Sequence, residues 1–320
     1  MFGGTKANGP RRVPVSTRPV KIVMAVPNVP LAGLVRRGVV GLVGLAILVT
    51  LASCGARLPT QSDAGRGRAF EVQRRFTSAD ARQGPAVDGE HFYAINNRAI
   101  AKYDKRSGEL VARWDGTDDG EIVHLNSGVV IGGRLHAAHS NYPDLPMVSS
   151  IETFDLASLD RVGSHRFGTF EGSATWVDRR DGQWWVVFAN YEGRGGQPGK
   201  GPADTVLVSF DDRWNVTGRY TFPAEVVRRF GTRSNSGGAW GPDGLLYATG
   251  HDAPELYVLR LPAAGTVLEL VEVVAVEAAG QGVAWDRGAP GTLYTIVKRD
   301  RQVVVSRMRG AAPAVPARVD

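Results

Sequence analysis

Residues 238–274 read GAWGPDGLLYATGHDAPELYVLRLPAAGTVLELVEVV. Four short runs rich in Val, Leu, Tyr and Trp follow one another in this segment, and Gly, Asp and Pro separate them. Such runs, without an apolar period of 3.6 residues, are typical of β-strands joined by turns. The segment therefore predicts a sheet of four strands, with the sequences GAW, LLYATG, ELYVLRL and TVLELVEVV.

The opening of this unit occurs five times along the chain. In each copy a Gly or Ser, two small residues and an apolar or Trp position precede a turn and an aromatic strand. The copies begin at Gln83, Ser127, Gly172, Ser236 and Gln281, and their second residues are 44, 45, 64 and 45 positions apart. A four-stranded unit that repeats at this period predicts the blade of a β-propeller.

The two ends of the repeat array predict how the ring closes. The fifth unit lacks its last strand, whereas an unassigned strand, FEVQRRF at residues 70–76, precedes the first unit. We expect this N-terminal strand to complete the last blade, which removes two exposed sheet edges. The prediction is an all-β, five-bladed propeller over residues 70–309, followed by a disordered tail at 310–320. A six-bladed ring is the alternative if the insertion EGRGGQPGKGP at Glu192–Pro202 hides a degenerate repeat.

The N-terminal segment carries a targeting signal. Arg36 and Arg37 precede the apolar run VVGLVGLAILVTL at residues 39–51, and the run ends in Leu-Ala-Ser-Cys. A run of this length fits a secretory signal and is shorter than the roughly 20 residues that span a bilayer. We expect residues 1–53 to be a lipoprotein signal peptide, Cys54 to be the lipidated first residue of the mature chain, and residues 54–69 to be a flexible tether.

This signal predicts an exported protein that the lipid on Cys54 anchors to the membrane at the cell envelope, facing the periplasm or on the outer membrane in a Gram-negative cell. The export route stays open between the general and the twin-arginine pathways. Because Cys54 is the single cysteine of the chain, its acylation leaves no thiol for a disulfide, a Cys-ligated metal or a catalytic cysteine.

The charge of the chain argues against a nucleic-acid partner. The sequence has 38 Lys and Arg against 32 Asp and Glu, and seven of the basic residues lie in residues 1–53. The remaining 31 basic residues are balanced by the 32 acidic residues, which all lie after residue 53. A near-neutral domain without a basic run lacks the clustered Lys and Arg that neutralise phosphates.

One face of the predicted propeller concentrates polar side chains. The loops between the second and third strands and the connections between blades emerge on the same face, around the central channel. We expect these loops to bind a small polar ligand, a carbohydrate or an organic acid, because they bring amide, imidazole, phenol and charged groups together on a rigid scaffold. The predicted ligand-binding residues are Asn126, Ser140, Asn141, Tyr142, Glu171, Asn190, Tyr191, Asn235, Asp252, Gln281, Lys298 and Arg299.

Two histidines are the predicted proton carriers. His139 and His251 fall at corresponding places in the second and fourth units, and the pKa of histidine suits acid–base catalysis near neutral pH. Glu171 or Asp252 would orient them. No cofactor motif is found, but a divalent metal stays open as an alternative because side chains on separate blades offer N and O ligands. Those side chains are His124, His139, His251, Glu171 and Asp252.

Five short motifs add a resemblance to a known family. They are HSNYP at His139, FANY at Phe188, NSGGAWGPDG at Asn235, TGHDAPE at Thr249 and AGQG at Ala279. Across residues 70–308 the chain resembles a family of exported bacterial β-propellers that are described as cycloisomerases, similar to muconate cyclases and lactonases. The resemblance implies lactone-forming isomerisation of an unsaturated diacid and carries over no catalytic residue. Lys298, Arg299 and Arg233 are the cations that such a diacid would find in the ring.

Two hypotheses of different classes follow. In the first, the channel mouth binds a small polar molecule, with isomerase, lyase or lactonase chemistry if the protein is an enzyme. In the second, the protein is a non-catalytic scaffold of the cell envelope, whose rim binds another protein and whose axial residues are structural. Fold does not decide between them, because propellers serve both classes of function.

Overall fold

A computed structural model describes residues 67–117, 120–278 and 280–310. The predicted signal peptide, Cys54, most of the tether and the tail after Gly310 lie outside these residues. Within them, twenty strands form five four-stranded antiparallel sheets. The prediction of a five-bladed β-propeller is therefore confirmed, and the six-bladed alternative is wrong.

Four blades consist of consecutive strands. Blade 1 contains β2 (Gly84–Val87), β3 (His91–Asn96), β4 (Ala99–Asp104) and β5 (Leu110–Asp115). Blade 2 contains β6 (His124–Ile131), β7 (Arg134–Ser140), β8 (Ser149–Asp155) and β9 (Arg161–Gly168). Blade 3 contains β10 (Ser173–Arg180), β11 (Gln183–Ala189), β12 (Val206–Phe210) and β13 (Val216–Thr221). Blade 4 contains β14 (Gly237–Trp240), β15 (Leu246–Thr249), β16 (Glu255–Arg260) and β17 (Glu269–Ala275).

Blade 5 joins the two ends of the repeat array. It contains β18 (Val283–Trp285), β19 (Thr292–Val297) and β20 (Gln302–Arg309), with β1 (Ala69–Thr77) as its outermost strand. The antiparallel pairing of β1 with β20 runs from Ala69 opposite Arg309 to Thr77 opposite Gln302. The predicted closure by the N-terminal strand is confirmed, and this strand begins one residue earlier than expected.

The recurring aromatic residues pack between blades, which is why they repeat with the blade period. Trp176, Trp185, Trp240 and Trp285 are all at most 7% exposed. The rings of Trp185 in blade 3 and Trp240 in blade 4 meet edge to face, with centroids 5.0 Å apart. Such pairs contribute beyond the apolar area that they bury, so the aromatic positions hold neighbouring blades together.

Small residues close the axis of the propeller. A Cβ atom on Gly282 would lie 2.7 Å from the Cα atom of Gly84 and 2.6 Å from Oγ of Ser127. A Cβ on Gly237 would lie 2.6 Å from the Cα of Gly282, and the amide of Gly282 donates to the carbonyl oxygen of Gln83 at 2.8 Å. The inner strands therefore touch at the level of these residues. The central channel expected from the sequence is closed there.

In the second repeat, the residue that packs at the axis is one position earlier than the comparison of the five repeat openings predicts. Strand β6 begins at His124, and its register with β7 shifts between Leu125 and Gly128. This bulge inserts extra residues into one strand, so Ser127, and not Gly128, packs against Gly84 at the axis.

Two segments account for the long third spacing of the repeat, 64 residues. The first, residues 190–205, joins β11 to β12 and contains a 3-10 turn at Pro202–Asp204. The second, residues 222–236, joins blade 3 to blade 4 and contains helix α1 (Ala224–Phe230) and a 3-10 turn at Gly231–Arg233.

Helix α1 was not predicted from the sequence, because its seven residues are too few to show a helical period. It packs its Val226 and Phe230, one turn apart, into the apolar cluster of blades 3 and 4. No helix in the described part of the chain is long and apolar enough to cross a membrane.

Candidate functional site

A cleft of about 770 Å³ opens on the face that carries the second-to-third strand loops; we call this face the upper face. The cleft lies above the closed axis and extends outward over blades 1 and 2. Its size falls within the range of small-molecule sites. Blades 1, 2, 3 and 5 contribute to its lining, through residues that include Gln83, Asn96, Asn97, Arg98, His124, Asn141, Tyr142, Arg194 and Lys298.

The two long segments of blade 3 pack against each other beside this cleft. The amide of Glu192 donates to the carbonyl oxygen of Thr232 at 2.9 Å, and the hydroxyls of Thr205 and Ser234 are hydrogen-bonded. The first segment brings Arg194 to the cleft, and the second segment ends beside the axis. The two segments that make the third repeat longer than the others therefore form part of the site.

Lys298 is one of the cations that line the cleft. It follows β19 directly and is partly buried. Burial lowers its pKa, and the positive charges of Arg82, Arg233 and Arg301 lower the pKa further. The lysine is therefore surrounded by like charges, an arrangement that disfavours its charged form.

Arg82, Arg194 and Arg233 form no ion pair with a carboxylate among the described residues, although the charge of Asp252 also acts on Lys298. Arg82 and Arg194 form no side-chain hydrogen bond or ion pair within that part of the chain, and Arg233 reaches only Nε2 of His251, at 3.5 Å. Like charges placed together without counterions favour the binding of an anion. The charged residues that line the cleft are Arg98, Arg113, Asp115, Asp144, Arg194 and Lys298. Its lining therefore carries an excess of positive charge on a domain whose net charge is near zero.

Aromatic rings form one side of the cleft. The rings of His124 and Tyr142 lie 5.1 Å apart, and Tyr142 meets Tyr191 edge to face at 5.3 Å. A Cβ atom on Gly195 would collide with the Tyr142 ring, so the blade 3 loop packs tightly against this stack. Burial and the charge of Lys298 contribute to lowering the pKa of His124 to about 4, and this imidazole is neutral at physiological pH.

His251 and Asp252 form a dyad at the edge of the site. Nδ1 of His251 lies 2.6 Å from Oδ1 of Asp252. Because a carboxylate only accepts, Nδ1 carries the proton and Nε2 is left as an acceptor. Burial lowers the pKa of His251 against the opposing effect of Asp252, and the charges of Arg233 and Lys298 also lower it. The predicted proton carrier therefore stays close to the cationic centre.

His139, the other predicted proton carrier, is 7% exposed and has both ring nitrogens engaged. The amide of Val123 donates to its Nε2 at 3.2 Å, and its Nδ1 lies 2.9 Å from Oγ of Ser150. Ser150 in turn donates to Glu152 at 2.6 Å, and Arg161 donates to the same carboxylate. These contacts favour a structural role for His139 inside blade 2, and we do not include it in the proposed site.

We expect the buried histidines to make the fold sensitive to acid. Burial lowers the pKa of His139 to about 4, from 6.5 for a free histidine. As the pH falls below 6.5, His139 binds a proton in the unfolded chain but not in the folded chain. The free energy of unfolding is therefore highest above pH 6.5 and declines towards pH 4. The slope is about 1.4 kcal/mol per pH unit for such a histidine.

Urea unfolding at pH 7 and pH 5 tests this effect in the native chain and in His139→Gln. The amide of Gln has no proton to bind in this range, so we expect the variant to lose less stability on acidification. Carboxylates away from His139 titrate alike in both proteins and cancel in the comparison. An equal loss of stability in the two proteins would contradict the prediction.

Several predicted ligand-binding residues support the fold beneath the cleft. Asn235 is fully buried, where it accepts from Nε1 of Trp176 at 2.9 Å and donates to the carbonyl oxygens of Gly237 and Thr249. Asn126 donates to the carbonyl oxygen of Ala174 at 3.0 Å, across the junction of blades 2 and 3. Their amide groups are therefore occupied by the protein.

Ser140 and Asn190 are occupied in the same way. The Oγ of Ser140 accepts from Ser173 at 2.8 Å, and Asn190 donates to the carbonyl oxygens of Glu171 and Asp204. Asn190 also accepts from Gln197 at 3.0 Å, so it ties down the blade 3 loop. These two residues shape the site from beneath without facing the cleft.

Other predicted residues divide between the cleft and the outside. Asn141 lines the cleft although its amide also braces its own loop, through Pro146 and Val148. Gln281 is 3% exposed and forms no side-chain hydrogen bond with any described residue. In contrast, Arg299 is directed to solvent, with 88% of its side chain exposed, and pairs with Asp300.

The five side chains considered for a metal do not converge. Glu171 forms an ion pair with Arg219 of the outermost strand of blade 3, and His139 is enclosed within blade 2. Among the described residues there is no group of three or more His, Cys, Asp or Glu that could hold a metal ion. The structure therefore gives no support to the metal alternative.

Sequence reasoning missed Arg82 and Arg194 and did not single out Arg98 or Gln83. Gln83 opens the first repeat unit, and Arg82 precedes it directly, so a basic residue before a repeat start was an available signal. Arg194 lies in the insertion, where no repeat predicts the position of a side chain. Its place in the cleft depends on how the loop folds back.

The chain was compared with known proteins. No protein-family model matches it, and no curated protein matches it. A chain in "Crystal Structure of Mitotic Checkpoint Complex" is 10% identical with a TM-score of 0.44, over 82% of this chain and 98% of that one. A chain of Kuenenia stuttgartiensis hydrazine synthase is 11% identical with a TM-score of 0.40, over 70% of this chain and 82% of that one.

These two likenesses carry no argument about function, and the assignment of the fold rests on the strand pairing itself. No family match supports the resemblance to cycloisomerases.

Proposed function

We propose that this propeller binds a small organic anion in the cleft of its upper face. The observation that carries the proposal is the position of Lys298, which lines the cleft without a hydrogen bond or ion pair to any described residue. The charges of Arg82 and Arg233 act on this lysine, as does the opposite charge of Asp252. Cations held together at the cost of mutual repulsion are stabilised when a carboxylate or a similar group binds between them. The amide of Gln83, which lines the cleft, suits the polar remainder of such a ligand.

The site also has the groups for acid–base chemistry. His251, with its tautomer fixed by Asp252, offers Nε2 as a base, and the neutral imidazole of His124 lines the cleft together with Lys298. Isomerase, lyase or lactonase chemistry on an organic acid would need these elements. This reaction class agrees with the family resemblance in the sequence, and we propose it as the activity if the protein turns its ligand over.

We further propose that the propeller is exported and held at the cell envelope by a lipid on Cys54. The lipoprotein signal in residues 36–54 supports this location. The described domain begins at Gly67, so a short segment separates the lipidated cysteine from β1.

Substitution of Lys298 tests the anion site. We expect the purified chain to bind malonate or succinate in isothermal titration calorimetry and not to bind glucose. Lys298→Met should weaken the binding of either acid by at least tenfold, about 1.4 kcal/mol, because it removes a charged hydrogen-bond donor. Raising the salt concentration should weaken the binding as well.

Arg299→Met is the matched control, since it removes a neighbouring positive charge that faces solvent and is already paired with Asp300. Its affinity for malonate should equal that of the native chain. If Lys298→Met bound malonate as tightly as Arg299→Met, or if glucose bound and both acids did not, the proposed anion site would be wrong.

The alternative is the protein-binding scaffold of the cell envelope. The observation in its favour is a set of exposed apolar side chains on outer strands, among them Leu110 at 54% and Val162 at 51%. These residues lie on different blades, and single exposed apolar residues are common on soluble surfaces. We therefore rank this function second.

A further inference from the structure

Lys298 differs from every other lysine that the structure describes. Lys102 donates to the carbonyl oxygen of Leu156, and Lys200 donates to that of Glu171. Lys105 pairs with the buried carboxylate of Asp286 at 2.6 Å. Lys298 forms neither a hydrogen bond nor an ion pair with any described residue, although it is partly buried. Its amino group is thus left without a protein partner inside a small-molecule cleft.

The surroundings of Lys298 favour a reactive amine. Burial and the charges of Arg82, Arg233 and Arg301 lower its pKa, against the opposing effect of Asp252. A lysine that is desolvated or placed beside other cations spends more of its time as the neutral amine, which is the nucleophilic form. A lysine held by a carboxylate, as Lys105 is, has the opposite tendency.

We infer that Lys298 forms an imine with a 2-oxo acid, with the substrate carboxylate placed among Arg82 and Arg233 and the ketone carbon facing the amine. The inference rests on the proposed function, because it requires that the cleft bind a carboxylate. It narrows the ligand from organic anions to those with a carbonyl group beside the carboxylate.

The step balances without an external oxidant or reductant. The nitrogen of Lys298 attacks the carbonyl carbon, a C–N bond forms, and the carbonyl oxygen takes up a proton to give a carbinolamine. The nitrogen gave up its first proton when the ammonium group became an amine, and it now gives up a second. The oxygen, protonated again, leaves as water while the C=N bond forms, and one N–H remains. The protonated imine that results carries the positive charge of the original ammonium ion.

Neighbouring groups suit the proton transfers of this step. His124 lines the same cleft, and its imidazole is neutral and so able to accept a proton. Nε2 of His251 is a second proton acceptor, because Nδ1 holds its proton towards Asp252. The arginines stay charged throughout and hold the carboxylate, because guanidinium groups do not lose their protons in this range.

Borohydride trapping tests the inference. The full chain is incubated with pyruvate and sodium cyanoborohydride, which reduces an imine to a stable secondary amine, and the labelled residue is located by peptide mass spectrometry. We expect one pyruvate adduct, at Lys298, which excess malonate suppresses by occupying the same cleft. Lys298→Arg keeps the charge but has no nucleophilic amine, so it should lose the adduct. Arg299→Met, which changes an exposed residue paired with Asp300, should form the adduct at Lys298 as the native chain does.

The outcomes separate this inference from the proposed function. If malonate binds the native chain but no adduct forms at Lys298, the imine is overturned and the anion site stands. Labelling spread evenly over Lys102, Lys105, Lys200 and Lys298 would overturn it as well, since it would show ordinary surface reactivity. If neither malonate binding nor an adduct is found, the proposed function fails together with the inference.

Discussion

Phe76→Ala is expected to lower the free energy of unfolding by about 4 kcal/mol, the usual cost of emptying a buried aromatic site. Phe76 is the buried anchor of β1, at 7% exposure, and its ring lies 4.5 Å from that of Phe92 in blade 1. Phe76 belongs to the same buried apolar cluster as Tyr103 and Val87. Its loss therefore weakens both the closing strand and the junction between blades 5 and 1.

Urea unfolding followed by tryptophan fluorescence measures this change. Glu71→Ala is the control on the same strand, because Glu71 faces solvent and pairs only with the exposed Arg309; it should change stability by less than about 0.5 kcal/mol. Limited proteolysis should also release β1 from Phe76→Ala earlier than from the native chain. A destabilisation no larger than that of Glu71→Ala would show that Phe76 does not hold the ring closed.

Gly282→Ala is expected to destabilise the protein by about 3 kcal/mol, at the upper end for overpacking. The added methyl group would meet the backbone of Gly84 and the side chain of Ser127, both closer than real Cβ contacts allow. Because these atoms belong to the inner strands of blades 1 and 2, relief of the clash requires that whole blades move apart.

Gly89→Ala provides the matched control for this change. Gly89 lies in the exposed turn between β2 and β3, and a Cβ atom there would meet no atom within 4 Å. We expect its melting temperature to be near that of the native chain, whereas that of Gly282→Ala should be several degrees lower. Equal melting temperatures for the two variants would mean that the axis is looser than its contacts indicate.

The sequence was sufficient to predict the blades for a physical reason. Each blade needs an inner strand of small residues, a turn and an aromatic strand, and this need recurs with the blade period. The closing strand followed from simple counting, because the fifth unit was one strand short. The bulge at Leu125–Gly128 in β6 was not predictable in the same way, since it changes the register without changing the pattern of residue types.

The site was harder to predict than the fold. His139 and His251 seemed equivalent, but β7 ends at Ser140 whereas β15 ends at Thr249. One histidine is therefore within its strand and buried by the blade, and the other is in a loop. Lys298 was identified correctly as a residue of the upper face, and its isolation from counterions became visible only when the folded chain placed Arg82 and Arg233 beside it.

The pairing of β1 with β20 sets the order of events in folding. Ala69 lies opposite Arg309, so the last contact of the ring joins residues at opposite ends of the described domain. Blades 1 to 4 consist of consecutive strands and can form as the chain is made, but blade 5 waits for β20. Such distant contacts slow folding, and a chain cut short before β20 leaves β1 as a free edge open to aggregation. Ribosome stalling or premature termination in the last blade is thus more damaging to this protein than the small number of missing residues suggests.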